Sequence, residues 1–169
     1  LSDISVCIQL TMLQGSPIGF EFCMEGFNCC EISCFAHDTE ISCLWMGCRF
    51  GVVLFDLLRC GVAATITTEK PISALILVGS TIWFALSGQS ILYVYDKYSL
   101  SLLRKIEAHD GPVSSLTYLD GCVWSGSEDS SVKVWSSSYF NLLEDLSNFH
   151  SGEVVLLQPT HPSSSHVAS

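Results

Sequence analysis

The residues of this 169-residue chain that could do catalytic chemistry are a histidine with nearby carboxyl and hydroxyl groups. Asp110 follows His109, and Ser114 or Ser125 could supply a nucleophile that the histidine activates. However, no Gly-x-Ser-x-Gly turn presents either serine, and a second histidine, His150, recurs 41 residues after the first. The recurrence favours a structural role for His109 and a chain without catalytic residues.

Cysteines are the second group with chemical potential, since the chain has nine and eight of them precede residue 61. Cys29 or Cys30 could bind zinc together with Cys34 and His37, because zinc prefers thiolate and imidazole ligands. The spacing contains no C-x-x-C pair, and no second pair follows at a zinc-finger interval. The odd number and the lack of a secretory signal predict reduced thiols in the cytoplasm. Neither a metal nor a cofactor is expected.

Three similar segments follow one another at a step of about 40 residues, and this repeat outranks any single motif. They are Ile32–Phe55, Ile72–Tyr95 and Val113–Trp135. Aromatic residues mark the same places in each segment, namely Trp45, Trp83 and Trp124 in the middle and Phe55, Tyr95 and Trp135 at the end. A period of this length is typical of a solenoid, a propeller or an array.

Each segment contains short apolar runs separated by turn residues, which predicts strands. In the third segment the expected strands are Val113–Leu119, Cys122–Ser127, Val132–Trp135 and a weaker one within Asn141–Phe149. Asp120-Gly121 between the first two is a strong hairpin signal, and Gly79-Ser80 occupies that place in the second segment. The first segment has a longer first turn and a shorter second one. Four strands in about 41 residues make one propeller blade.

On these residues the chain resembles the WD-repeat β-propeller family. In that family a Trp-Asp pair ends the third strand, and here the position holds Phe55-Asp56, Tyr95-Asp96 and Trp135-Ser136. The family also has a histidine before the first strand of the next repeat. That place holds Thr68, His109 and His150 in turn.

The resemblance implies a buried polar network that holds a blade together and a rim that binds partners. Only the third repeat can supply the whole network, from His109, Ser125 or Ser127, Asp129 and Trp135. The implied partner-binding rim comprises Gln89, Glu107, Asp110, Pro112 and Glu128.

The sequence is therefore interpreted as all-β, an incomplete WD-repeat β-propeller of about three to four four-stranded antiparallel blades. Residues 1–31 are expected to form a preceding partial blade or linker strands, and residues 158–169 a disordered tail. Residues 32–157 are assigned to the blades, in repeats of about 32–71, 72–112 and 113–153. Because propellers commonly close with about four to eight blades, the chain is interpreted as a fragment. Its edge strands at Ile4–Leu13 and Val154–Leu157 could then support self-association.

The amino-acid composition limits the kinds of partner that the chain is expected to bind. Apolar residues make up 49% of the chain and charged residues 14%, and the formal net charge is −10. This charge argues against nucleic acid and favours a basic partner surface. The uncharged run Pro71–Tyr95 and the run Leu44–Ile66 are long enough for membrane helices, but the second contains Arg49, Asp56 and Arg59. No membrane insertion is expected.

The predicted function is a non-catalytic scaffold that binds a protein or peptide partner. The alternative is a regulatory propeller within a larger signalling enzyme. The loose repeats, with WMGC at Trp45 and WSGS at Trp124, resemble the C-terminal propellers of Roco-type kinases, DENN-domain proteins and some Rho exchange factors. A two-span membrane protein is the less favoured alternative.

Overall fold

The computed structural model describes the backbone of two N-terminal strands and residues 32–147, 152–155 and 157. The chain divides into two compact units, residues 1–31 and residues 32–169. In the first unit β1 (Val6–Leu10) pairs antiparallel with β2 (Ile18–Phe22). The expected strand at Ile4–Leu13 therefore contains β1, and its other residues lie outside the described part. His150 and the tail 158–169 also lie outside it.

The second unit contains three four-stranded antiparallel sheets, each formed by consecutive strands. Blade 1 consists of β3 (Cys34–Asp38), β4 (Cys43–Cys48), β5 (Gly51–Asp56) and β6 (Gly61–Thr67). Blade 2 consists of β7 (Ile72–Val78), β8 (Thr81–Leu86), β9 (Ile91–Asp96) and β10 (Leu102–Glu107). Blade 3 consists of β11 (Val113–Leu119), β12 (Cys122–Ser127), β13 (Val132–Ser136) and β14 (Leu142–Asp145). The predicted all-β class and its blades are confirmed.

Turn residues fix the register of the blades. Asp120 and Gly121 have φ values of 50° and 81°, the two left-handed positions of a type I′ hairpin, so that Leu119 lies opposite Cys122. At the matching turn of blade 2 only Gly79 is left-handed, with φ of 55°. The corresponding turn of blade 1 spans residues 39–42 and is longer, as the sequence predicted.

The residue that ends the third strand of each blade caps the next turn. The Asp56 carboxylate accepts hydrogen bonds from the backbone N–H groups of Leu58 and Arg59. The Asp96 carboxylate accepts from those of Tyr98 and Ser99 in the same way. In blade 3 the hydroxyl of Ser136 accepts a bond from the backbone of Tyr139. Short oxygen-bearing side chains suit this position because they satisfy turn donors locally.

Blade 2 is buried on both faces. Ile82 and Phe84 pack toward blade 1 in a cluster with Trp45, while Trp83 and Val94 point the other way, into a cluster with residues of blade 3. Trp83 is fully buried. Burial of such large apolar side chains is the main force that holds neighbouring blades together.

A serine hydroxyl links each blade to the start of the next. In blades 1 and 2 the hydroxyl donates to the backbone carbonyl of the first residue in the first strand of the next blade. In blade 3 it donates to the carbonyl of the residue at the corresponding place. The pairs are Ser33 with Ile72 at 2.5 Å, Ser73 with Val113 at 2.9 Å, and Ser114 with Val154. The donors recur every 40 or 41 residues, a second period that the sequence analysis did not use.

Val154 thus occupies the position at which a fourth blade would begin. Its backbone N donates to Ser127 O at 3.0 Å, and its side chain is buried. The described residues around it, 152–155 and 157, form no strand, so the strand predicted at Val154–Leu157 is wrong for them. A strand needs a paired neighbour, and within the described residues the backbone of this segment bonds only to Ser127 at the end of β12 and to the Ser114 hydroxyl.

Ser73→Ala is expected to lower the free energy of unfolding by about 1 kcal/mol, because it removes one hydrogen bond between blades 2 and 3. Ser138, an exposed turn residue whose hydroxyl makes no hydrogen bond within the described residues, supplies the control variant Ser138→Ala. Urea unfolding followed by tryptophan fluorescence measures both. Equal midpoints for the two variants would contradict the assigned role of the serine.

Both runs that were long enough for membrane helices form strands. Leu44–Ile66 covers β5 and most of β4 and β6, and Pro71–Tyr95 covers β7, β8 and most of β9. None of the residues that the structure describes belongs to a helix with the length and hydropathy that a membrane crossing requires.

Candidate partner-binding face

Three connections lie side by side at one end of blades 2 and 3. They are the β8–β9 turn (87–90), the β10–β11 loop (108–112) and the β12–β13 turn (128–131). Val113 N donates to Gln89 O at 2.9 Å, and Glu128 N donates to Pro112 O at 3.0 Å. These bonds join the connections into one continuous edge, which we call the rim.

The structure places all five predicted partner-binding residues on or next to this rim. Asp110 and Glu128 are exposed, and Glu107, also exposed, ends β10 opposite the first residue of β9. Gln89 and Pro112 are half-buried. Three carboxylates on one edge give it a negative potential, and they are free to contact a partner because they are solvent-exposed.

Beneath the rim, the His109 ring is buried and forms a hydrogen bond at each nitrogen. Nε2 lies 2.7 Å from Ser125 Oγ, and Nδ1 lies 2.7 Å from Ser131 Oγ. Trp135 Nε1 donates to Ser125 Oγ at 2.8 Å, and Ser131 Oγ donates to Asp129 Oδ1 at 2.5 Å. The five side chains therefore form one chain of hydrogen bonds from an indole to a carboxylate.

The carboxylate end of this chain places a proton on His109 Nδ1, because Ser131 donates to Asp129 and must accept from the ring. Ser125 Oγ has two acceptors in reach, His109 Nε2 at 2.7 Å and Lys133 O at 3.5 Å, and the shorter contact assigns its proton to the ring. His109 is then neutral, with its proton on Nδ1. Burial lowers the pKa of His109, while the nearby charge of Asp129 acts in the opposite direction. A neutral histidine satisfies the network without a buried positive charge.

Asp129 ties the network to the rim. Its Oδ2 accepts the backbone N–H of Asp110 at 2.9 Å and of Gly111 at 3.2 Å, and its Oδ1 accepts the backbone N–H of Ser131 at 2.9 Å. Burial alone would raise the pKa of Asp129, but the hydrogen bonds from Ser131, Asp110 and Gly111 hold it well below its usual range. The carboxylate thus anchors the β10–β11 loop to the β12–β13 turn.

Ser125 and Ser127, between which the sequence left the choice open, have different roles. Ser125 lies in the hydrogen-bond chain, whereas Ser127 Oγ donates to Pro112 O at 2.9 Å and accepts from Asp129 N at 3.1 Å. Ser131 was missed. A serine two residues after an aspartate in a turn is a recognisable Asx-turn pattern and could have drawn attention to it.

The same geometry does not support nucleophilic catalysis by Ser125. The residue is fully buried, and its oxygen already bonds to Trp135 and His109, so a substrate cannot reach it. Asp110 does not orient the histidine; its recorded bond runs from its backbone N–H to Asp129. The arrangement can stiffen a loop, not move a proton to a substrate.

Unfolding should become easier as the pH falls from about 7.5 to 5.5, because an unfolded histidine binds a proton near pH 6.5 while His109, with its lowered pKa, resists doing so. The unfolded state then binds more protons, and acid favours it. In His109→Asn this difference in unfolding midpoint between the two pH values should shrink. His37→Asn, at an exposed position of β3, is the control and should keep the wild-type difference. Identical pH dependence in all three proteins would refute the neutral assignment.

The candidate zinc ligands are not brought together in the described part of the chain. Cys34 and His37 are three residues apart in β3 and therefore point to opposite faces of the sheet. Burial raises the pKa of the Cys34 thiol, although bonds from Ser33 and Gly47 partly offset it. Cys29 and Cys30 lie outside the described residues, among which no three His, Cys, Asp or Glu side chains could hold a metal.

Blade 2 lacks the polar network, and a groove lies in its place. Phe84 and Tyr95 occupy the sites that Ser125 and Trp135 hold in blade 3, and Thr68 replaces the histidine. The groove has a volume of about 510 Å³. It is lined by Thr67, Thr68, Glu69, Phe84, Leu86, Gln89, Tyr93, Tyr95 and Lys105. Sequence reasoning placed Gln89 on the rim but missed the groove, whose signal is the aromatic alternation of Tyr93 and Tyr95.

A buried ion pair joins blades 1 and 2 at the opposite end of the blades. Lys97 Nζ lies 3.1 Å from Asp38 Oδ2 and 2.8 Å from Glu40 Oε2. Lys97 and Asp38 expose only 3% of their side chains, whereas Glu40 exposes 69%. Burial alone would lower the pKa of Lys97, but the two carboxylates raise it well above its usual range. The partners are 57 and 59 residues apart, so no local pattern marks them.

Comparisons with known proteins agree with this architecture. No family model matches the chain. A curated protein of Dictyostelium discoideum, described as the probable serine/threonine-protein kinase pats1, is 30% identical over 73 residues, which cover 43% of this chain and 2% of that protein.

Solved structures match over a larger share of the chain. The U3-55K structure has a TM-score of 0.68 at 16% identity, covering 75% of this chain and 42% of that one. The RRP9 WD40 repeats match with the same TM-score and identity, covering 75% and 41%. The computationally designed Ika4 protein has a TM-score of 0.70 at 21% identity, covering 82% and 84%. The chain thus spans less than half of U3-55K and RRP9. The blades of the described residues have the WD-repeat β-propeller fold, as an incomplete propeller.

Proposed function

We propose that this chain is a non-catalytic platform that binds a protein or peptide partner at the rim. The observation that supports this is the combination of exposed carboxylates with a rigid base. Asp110 and Glu128 extend from loops that Asp129 and the buried His109 hold in place. A fixed surface with exposed charge binds with less loss of conformational entropy than a mobile loop would.

The proposed partner has a basic surface. The chain carries a formal net charge of −10, and the rim adds Glu107, Asp110 and Glu128 at one edge. Complementary charge raises the rate of encounter and sets orientation more than it raises affinity. Binding should therefore depend strongly on salt.

Charge reversal tests this proposal. A fluorescent lysine-rich peptide serves as the probe, and its affinity for the full chain is measured at low and high salt. Glu128→Lys should weaken binding at low salt and flatten the salt dependence, and adding Asp110→Lys should extend both effects. Glu144→Lys makes the same charge change at an exposed position of β14 and serves as the control. Equal losses in Glu128→Lys and Glu144→Lys would leave only a net-charge effect and sink the proposal.

A second candidate is an accessory propeller within a larger signalling enzyme. The similarity to a kinase, 30% over 73 residues, is the observation that favours it. Sequencing of the full transcript distinguishes the two, since a catalytic-domain motif in the same reading frame supports the second candidate and its absence the first. The proposed compartment is the cytoplasm in either case, where thiols such as those of Cys43 and Cys122 stay reduced.

Self-association is also proposed, through a sheet face in addition to the edge strands that the sequence suggested. Trp124 of β12 holds the position that Trp83 holds in blade 2, but it points away from blade 2 and is only half-buried. A second copy of the chain could cover it. Analytical ultracentrifugation should show an assembly of two or more chains that Trp124→Lys dissociates. A wild-type chain that sediments as a monomer at every concentration would contradict this.

A further inference from the structure

The groove between blades 1 and 2 has the dimensions and lining of a binding site. Its volume of about 510 Å³ falls within the range of about 300–1,000 Å³ found for ligand sites. One wall is the aromatic face of blade 2, formed by Phe84, Tyr93 and Tyr95. The opposite wall is the end of β6 and the connection that follows, from Thr67 to Glu69. Both walls belong to the described residues.

The aromatic wall is rigid. Phe84 stacks on Tyr93 with centroids 5.5 Å apart and planes at 11°, and on Tyr95 at 5.3 Å and 30°. Tyr93 is also held by its hydroxyl, which donates to Gln89 Oε1 at 3.1 Å. Phe84 is buried, whereas the two tyrosines are half-buried and offer aromatic surface to the groove. Such preformed aromatic grooves are the recognition surfaces for polyproline II segments.

The polar groups of the groove match the backbone of such a segment. A polyproline II helix forms no internal hydrogen bonds, so its carbonyls accept from outside donors. Gln89 uses its oxygen to accept from Tyr93, and its NH₂ group makes no bond within the described residues. That group can donate to a carbonyl of a bound peptide. The hydroxyl of Tyr95 is a second donor on the same wall.

The charges of the groove favour a basic residue at one end of the ligand. Glu69 is exposed and belongs to the connection that leads to β7, the innermost strand of blade 2. Lys105 belongs to the outermost strand, and its ammonium group lies over the Tyr93 ring at 5.7 Å. A basic side chain is therefore attracted toward Glu69 and repelled from Lys105, which orients the peptide.

We propose that the groove binds a proline-rich peptide segment of a partner protein, with a proline on Tyr95, the edge of the Tyr93 ring beside it and an adjacent basic residue on Glu69. The inference rests on the proposed function, because it gives the platform a second contact site next to the rim. A proline-rich segment is a class of ligand that the acidic rim alone would not select. Gln89 belongs to both sites. Its backbone carbonyl accepts from Val113 N at the rim, and its side chain lines the groove.

The experiment uses the full chain and a fluorescein-labelled synthetic peptide, an arginine followed by a run of prolines. The wild-type chain is expected to bind it and Tyr95→Ala to bind about tenfold more weakly or worse, because an aromatic anchor is lost. Thr67→Trp fills the groove from the opposite wall without removing a core side chain, and it should abolish binding. Glu69→Gln should weaken binding at low salt only.

Tyr139→Ala is the matched control, since that tyrosine is 83% exposed in a turn of blade 3, and it should bind as the wild type does. A second probe replaces the prolines with glycine and serine and keeps the arginine. Equal binding of both probes, or wild-type affinity in Thr67→Trp, would overturn the proposal. The lysine-rich peptide and Glu128→Lys test the rim separately, so failure of the groove and failure of the platform give different results.

Discussion

Asp129→Ala is expected to lower the free energy of unfolding by about 2–4 kcal/mol, because a charged acceptor of several hydrogen bonds is lost from the rim. The substitution removes a carboxylate that accepts from three backbone N–H groups, those of Asp110, Gly111 and Ser131. It also removes the final acceptor of the His109 chain, so Ser131 and the histidine lose their fixed orientation. Urea unfolding of the variant measures the loss.

The neighbouring acid supplies the control. Glu128→Ala removes an exposed carboxylate of the same turn that makes no side-chain hydrogen bond within the described residues, so its cost should stay within about 0.5 kcal/mol. Asp129→Asn keeps the shape and part of the accepting capacity, and should fall between the two. If Asp129→Ala proved as stable as Glu128→Ala, the carboxylate could not be the anchor of the loop.

The fold could be predicted from the sequence because its signals are local and recur. The hairpin at Asp120-Gly121 follows from two residues that tolerate positive φ, and the strands around it from alternation. The structure also brings together His109, Ser125, Asp129 and Trp135, which the resemblance had grouped. Each of these residues occupies a position that the repeat defines, so its residue type can be compared with those at the same position in the other repeats.

The rest could not be predicted, because it depends on packing between blades. The groove lies where Thr68 and Phe84 stand in place of the polar His109 and Ser125 of blade 3. The alternating Tyr93 and Tyr95 are visible in the sequence, but the sequence does not show that a groove opens beside them. The strand expected at Val154–Leu157 had suitable residues but no paired neighbour within the described part. Hydrophobic pattern identifies a strand-forming segment, and pairing decides whether the strand forms.

The ion pair at Lys97 is the clearest case of a feature without a local signal, and it leads to the last prediction. Lys97→Met is expected to destabilise the chain by about 3–5 kcal/mol, because it leaves Asp38 buried without its counter-charge. Methionine has nearly the shape of the lysine stem, so the loss reports on charge and not on a cavity. Thermal and urea unfolding both measure it.

Three further variants separate burial from attraction at this site. Glu40→Gln removes the exposed partner of Lys97 and should cost at most about 1 kcal/mol, since solvent already screens that pair. Asp38→Leu combined with Lys97→Met removes both buried charges and should recover most of the stability that Lys97→Met loses. If the double variant were no more stable than Lys97→Met, the loss could not arise from an unpaired carboxylate. Recovery would mean that the pair joins blades 1 and 2 through charge matching, at a cost in desolvation that an apolar contact would not carry.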